Sequence, residues 1–290
     1  MDINALVLVV GTLASSALLL ASGSPFASSL IVAVAAFTLL WLVSLARRDA
    51  SIVDIFWGLG FVVLGWFYAA TVPDVPTGRG WLVCSLVTLW GLRLGLHIGI
   101  RNAGAGEDFR YRKWRENAGT NFWWISYFKV FLLQAVLLWI VSSPLMLAQL
   151  DGPDIGRAAL DVVAVVLWTF GFLFEVVADW QLMQFKHKPA NRGQILRSGL
   201  WSLSRHPNYF GETVVWWGIG LLSLPAGGWL AFLGPLMITF LLLRVSGVTM
   251  LDAALADRRP GYSDYIRSTP AFFPFGKMRW WRSRRATGGA

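Results

Sequence analysis

"SLSRHPNYFGETVVWWG", residues 202–218, decides how the chain has to fold. From Phe210 onward it is apolar apart from Glu212 and Thr213, yet Arg205, His206 and Asn208 stand at its mouth. Pro207 suits the first turn of a helix, where a missing N–H is no loss. On such a helix Asn208 and Glu212 share one face, with Trp216 a turn further along. A helix this apolar is a bilayer span, and ionisable groups at its end need a partner or a ligand.

The composition supports the bilayer. Of 290 residues, 56% are hydrophobic and 14% charged, with a mean hydropathy of +0.57; soluble domains carry about 25% charged residues. Seventeen tryptophans suit helix ends at lipid–water boundaries. The net charge of +9 sits in short loops between apolar stretches. That is the positive-inside pattern, with a second use in holding phosphate or lipid headgroups, and it does not call for nucleic acid. Cys84 is the one cysteine, which excludes an intramolecular disulfide and a thiolate cluster. His97, His187 and His206 show no ligand spacing, so no metal is expected.

A bilayer crossing takes about 20 residues of helix. Candidate spans run near residues 3–22, 28–47, 52–71, 80–101, 126–149, 158–182, 208–224 and 228–247. The first lacks a basic leader and a cleavage site, so it reads as a retained span. "LARRD", "RNAGAGEDFRYRKWREN" and "FKHKPANRGQILRSGLWSLSRHP" are rich in Lys and Arg, whereas "TVPDVPTGRG" and "LDGPDIGR" carry more acid. The expectation is an all-α, polytopic transmembrane bundle of seven or eight spans in an inner membrane, with both termini cytoplasmic and any cofactor cavity on the cytoplasmic side. It forms one domain over residues 1–290, with an extra hairpin in 1–49 and a basic tail in 276–290.

Four polar sets interrupt the apolar helices. Glu175, Asp179 and Lys186 make one helical stripe in "FLFEVVADWQLMQFKHK", either an internal ion pair or the wall of a polar pocket. Arg205 and His206 flank a helix start, whose free N–H groups favour an anion such as a pyrophosphate; the alternative is an arginine snorkelling to lipid phosphate. Trp90, Arg93, His97 and Arg101 share a stripe in "LWGLRLGLHIGIR". Asp54, in "SIVDIFWGLGF", shares its face with Trp57, Gly58 and Phe61. Desolvation there favours a neutral carboxylic acid able to donate a proton, unless Asp54 is simply an interfacial capping residue. Arg244 and Asp252 flank the end of the last span on a common face.

No phosphate-binding glycine loop and no strand pattern is present, so a nucleotide would have to sit among helices and loops. In combination, "EVVADWQLMQFK", "SGLWSLSRHPNYFGETVVWWG", "LLLRVSGVTMLD" and "RRPGYSDYIRSTPAFFPF" resemble the steroid 5-alpha-reductase superfamily of membrane reductases, over about residues 50–275. The resemblance implies NADPH as cofactor and hydride delivery to an α,β-unsaturated ketone. It implies cofactor contacts from Arg93, Arg110, Glu175, Asp179, Lys186, Arg205, His206, Asn208, Tyr209, Glu212, Arg244, Asp252 and Tyr262. Asp54 falls where those enzymes carry the carboxylate that addresses the substrate carbonyl, and Trp90 where they carry a proton-donating tyrosine. An indole N–H donates a hydrogen bond but not a proton.

The reading that follows is an NADPH-dependent membrane enzyme reducing the activated C=C bond of a lipid-soluble, steroid-like or isoprenoid substrate. Its rivals are a membrane methyltransferase using S-adenosylmethionine, which has no phosphates to bind, and a non-enzymatic lipid-binding protein whose polar stripes pair with each other.

Overall fold

The computed structural model describes residues 24–72, 78–150, 157–245, 248, 251–252, 255–256 and 259–274, and among them there are helices and turns but no strand. Two compact units divide the chain: one takes residues up to Ala164 together with Ile219–Met237, the other Val165–Gly218 and Ile238 onward.

In the first unit, α1 (Pro25–Arg47) starts on Ser24, whose side chain accepts from the Ala27 N–H, with Pro25 in the first turn. It stops at Arg48, which adopts the left-handed conformation (φ 53°) and turns its N–H back onto the last carbonyls. Asp49 then accepts from both the N–H and the hydroxyl of Ser51, opening α2 (Ile52–Thr71). After α3 (Gly78–Asn102) comes α4 (Phe109–Ala118), capped by Asp108. Gly119, at φ 54°, then turns the chain into α5 (Phe122–Ser126). A π-helical segment, Tyr127–Leu132, leads into α6 (Leu133–Val141) and α7 (Ser143–Leu147).

Helices α2 and α3 are packed backbone to backbone. A Cβ on Gly91 would stand 2.4 Å from the Gly58 carbonyl oxygen, and one on Gly58 would stand 2.7 Å from that of Gly91. Small residues that let helices approach this closely are the usual device where lipid supplies no hydrophobic drive between them. Polar side chains complete the interior. The Tyr68 hydroxyl lies 2.7 Å from Ser29 and 2.8 Å from Ser142, tying α1 and α2 to the α6–α7 junction. Trp139 donates its indole N–H to the Phe26 carbonyl at 2.7 Å. At the other end of α3 and the start of the helix after α7, Arg79 pairs with Asp161 at 2.7 Å. The two acid-richer stretches of the sequence, 71–80 and 150–157, thus border helix ends that an ion pair joins.

The second unit holds α8 (Arg157–His187) from Val165 and α9 (Pro207–Gly227) as far as Gly218. It also holds the end of α10 (Leu233–Phe240) from Ile238, the π-helical Leu241–Val245 and α11 (Tyr262–Ser268). Its aromatic core joins Phe210, Val248 and Phe272, with Phe174 and Tyr209 against them.

Six helical stretches among the described residues are long and apolar enough to cross a membrane. The span expected at 3–22 lies outside the described residues. The spans expected at 208–224 and 228–247 form one helical run, Pro207–Val245, broken by Gly228 at φ 53°. It doubles back there: Gly220 meets Pro235 and Ala231, and Trp217 donates to Thr239 at 3.2 Å. The expected 126–149 span is likewise preceded by α4 within the run Phe109–Leu147.

Gly91→Ala tests the α2–α3 contact. The added methyl overpacks a backbone contact, which typically costs about 1–3 kcal/mol, so the melting temperature in detergent falls by several degrees. Gly78→Ala, which adds its methyl in open space, leaves the melt unchanged. Coincident melts for the two variants would disprove the close approach.

Candidate functional site

Most of the polar residues singled out in the sequence fall into three clusters, one in the first unit and two in the second, while Arg93, His97 and Arg244 stand apart from them.

The first is built on Asp54, in the first turn of α2. Arg110 donates from Nη2 to Asp54 Oδ2 at 2.6 Å, and the Tyr111 hydroxyl donates to Oδ1 at 2.6 Å. Asp108 holds Arg110 from behind, accepting from its backbone N–H and from its Nε, both at 2.9 Å. Burial pushes the Asp108 carboxyl up, but the Arg110 hydrogen bonds and charge outweigh it and hold this group below the usual carboxylate range. Glu107 accepts from the Ala50 N–H at 2.8 Å and pairs with Arg115 at 2.7 Å. The loop before α4 is therefore anchored on the start of α2.

Asp54 is not alone in an apolar cavity: one of its oxygens accepts from the Arg110 guanidinium and the other from the Tyr111 hydroxyl. Arg110, expected on a cofactor, spends Nε and Nη2 on Asp108 and Asp54. Trp90 is fully buried against Phe61, with ring centroids 5.9 Å apart, and is a core residue of the α2–α3 contact. Arg93 and His97 are half-buried on α3.

The second cluster lies where α8 and α9 cross. A Cβ on Gly171 would meet the Val215 N–H nitrogen at 2.7 Å, and one on Gly211 the Glu175 nitrogen at 2.6 Å. At this approach Glu175, Asp179 and Glu212 are all buried. Asn208 donates its amide to Asp179 Oδ1 at 3.1 Å, joining the two helices. Among the described residues, no group of His, Cys, Asp and Glu is arranged to hold a metal. Lys186 is exposed in the last turn of α8, where a cation suits the helix dipole.

The third cluster turns on Asp252. Arg205 pairs with it at 2.6 Å, His206 Nε2 lies 3.1 Å from Oδ1, and the Tyr262 hydroxyl donates to Oδ1 at 2.7 Å. Arg205 Nη1 donates to the carbonyls of Thr269 at 2.5 Å and Ile266 at 3.2 Å. Tyr265 donates to the Trp201 carbonyl, and Tyr209 stacks on His206 with their planes 2° apart. Arg205 and His206, expected to face a pyrophosphate, thus face a carboxylate of their own chain. Arg244, expected beside Asp252, is exposed on its π-helical turn.

Sequence reasoning missed Tyr111, Asp108, Glu107 and Tyr265. Asp108 carried a signal, since an aspartate before a run of helix formers reads as an N-cap. Tyr111 and Tyr265 carried none beyond their place in the quoted motifs.

Burial pushes the Asp252 carboxyl up, but His206, Arg205 and Tyr262 outweigh it and hold it well below the usual range. A carboxyl depressed in the folded state adds stability above its unfolded value of about 3.9, and that stability is lost as pH falls through the folded value. At neutral pH Asp252→Asn removes charge-assisted hydrogen bonds worth about 1.5–3 kcal/mol and speeds amide exchange across residues 259–274. Between pH 5 and acid, the wild type loses protection there and the variant changes little. Parallel profiles for the two would show that Asp252 does not hold this segment.

The family model described as "Protein of unknown function (DUF1295)" matches residues 40–269. An uncharacterized protein of Schizosaccharomyces pombe is 26% identical over 293 aligned positions, covering 87% of this chain and 80% of the yeast protein. No solved structure matches. The matched segment runs from the end of α1 through α11 and takes in all three clusters, so the chain belongs to the DUF1295 family.

Proposed function

We propose that this membrane protein is an NADPH-dependent oxidoreductase that reduces the activated C=C bond of a lipid-soluble enone, steroid-like or isoprenoid. One observation supports the reading above the others. At the α8–α9 crossing, buried Glu175, Asp179 and Glu212 stand with Asn208 at the mouth of two apolar helices. Carboxylates accept from hydroxyl and amino groups, which the riboses, adenine and carboxamide of a dinucleotide present. Exposed Lys186 in the last turn of α8, with Lys188 and Arg192 after it, offers charge to phosphates. That donor and acceptor set fits a dinucleotide better than S-adenosylmethionine, which carries no phosphate. The resemblance to the steroid 5-alpha-reductase superfamily supports the same choice.

When bound, NADPH supplies a hydride. The chain's own part is to hold the charge that develops on a ketone oxygen as it becomes an enolate, and such electrostatic stabilisation usually accounts for more of the rate than any other single effect. Arg110 and Tyr111 are the donors suited to it, and Asp54 would orient both. Trp90 contributes packing. The closed cluster on Asp252 favours a second reading, a non-enzymatic lipid-binding protein whose polar groups are satisfied internally.

Purification in detergent without added nucleotide, followed by mass spectrometry of what remains bound, tests the proposal directly. NADPH should raise the melting temperature with concentration, as any ligand selective for the folded state does, and S-adenosylmethionine should not. Asp179→Asn should shrink the NADPH shift more than it lowers the unliganded melt. No shift with NADPH defeats the reductase reading, and a shift with S-adenosylmethionine alone transfers the site to a methyltransferase.

A further inference from the structure

Helix α4 sorts its cations. Arg110 and Arg115 turn inward, the first onto Asp54 and Asp108, the second onto Glu107. Arg112 and Lys113 lie on the outward face, exposed, and neither has an ion-pair partner among the described residues. Exposed Glu116 shares this face, one turn on, which leaves it a net charge of +1, and the face is bordered by exposed aromatic rings. Beside them Trp114 is 39% exposed, and past the Gly119 turn Trp123 is 55% and Trp124 43% exposed, followed by exposed Phe128 and Lys129.

Contacts within the first unit fix the depth of this stretch. Trp41, on α1, donates its indole N–H to the Trp123 carbonyl at 2.9 Å, and its ring lies 5.0 Å from that of Tyr127. Trp41 is in the last two turns of an apolar span that ends in the exposed Arg47 and Arg48. Trp123 therefore stands level with the last turns of a span, where amphipathic rings are favoured, and Arg112 and Lys113 precede it on α4.

We infer that the outward face of α4 and the turn after it bind the headgroups of anionic phospholipids, through Arg112 and Lys113 with Trp114, Trp123 and Trp124 seated among the upper acyl chains. Charge selects the occupant: a zwitterionic headgroup offers no net negative charge to two unpaired cations, and an anionic one does. This surface is separate from the three clusters above and does not rest on the reductase reading.

The test uses the full chain, delipidated in detergent and examined by native mass spectrometry with equal concentrations of dioleoylphosphatidylglycerol and dioleoylphosphatidylcholine. The wild type retains phosphatidylglycerol preferentially, and the preference weakens as salt is raised. Arg112→Gln combined with Lys113→Gln reduces it by about tenfold to thirtyfold, since each cation near a charged surface contributes about fivefold. Arg267→Gln, which removes an exposed arginine elsewhere, leaves it unchanged. Inorganic phosphate at constant ionic strength does not displace the lipid. Equal retention of the two lipids by the wild type, a preference insensitive to salt, an unaltered double variant, or displacement by free phosphate would each overturn the inference. The wild-type measurements stand even if the double variant fails to fold.

Discussion

Inside hydrocarbon no water can repair a missing hydrogen bond, and this one constraint organises the rest of the molecule. It makes every crossing segment a helix, and it decides where side-chain polarity is tolerated. The Tyr68 hydroxyl is held between Ser29 and Ser142, and Trp139 reaches the Phe26 carbonyl. Ser223 donates to the Pro144 carbonyl. Each of these joins helices that would otherwise have only dispersion to hold them, because lipid tails are as apolar as leucine.

Glycine supplies the complementary device. At Gly58 with Gly91, and at Gly171 with Gly211, two backbones come so close that a methyl group would strike a carbonyl or an amide. Each contact has a carboxylate one helical turn away: Asp54 precedes Gly58 by four residues, and Glu175 follows Gly171 by four. The close approach gives the short acidic side chains their reach. Asn208 can bond Asp179 across two helices only because the helices nearly touch at Gly211.

The helical, membrane-crossing character was legible in composition and span length, and so were the acid-richer ends now joined by the Arg79–Asp161 pair. The stripes were legible too, since Glu175, Asp179, Asn208 and Glu212 follow from helical periodicity alone. What periodicity cannot express is pairing between distant segments. Asp54 and Arg110 are 56 residues apart, and their meeting depends on Asp108 capping α4 and on Glu107 gripping the Ala50 N–H. A stripe says which residues share a face. It does not say what the face looks at.

The Arg205–His206–Pro207 motif shows the same limit from the other side. An arginine before a helix start was expected to seat an anion, and an anion is there, but it is the Asp252 carboxylate. The physical argument for positive potential was sound; its target was decided by a segment some fifty residues on. Arg110 repeats the pattern with Asp54 and Asp108. In a medium of low dielectric a buried arginine left unpaired is too costly to wait for a ligand, so the chain provides its own acid. Among the described residues, exposed cations stand instead at Lys188 and Arg192 after α8 and at Arg112 and Lys113 on α4. An anionic ligand, whether nucleotide or lipid, has to be sought at those rims rather than at the buried arginines that stand out first in the sequence.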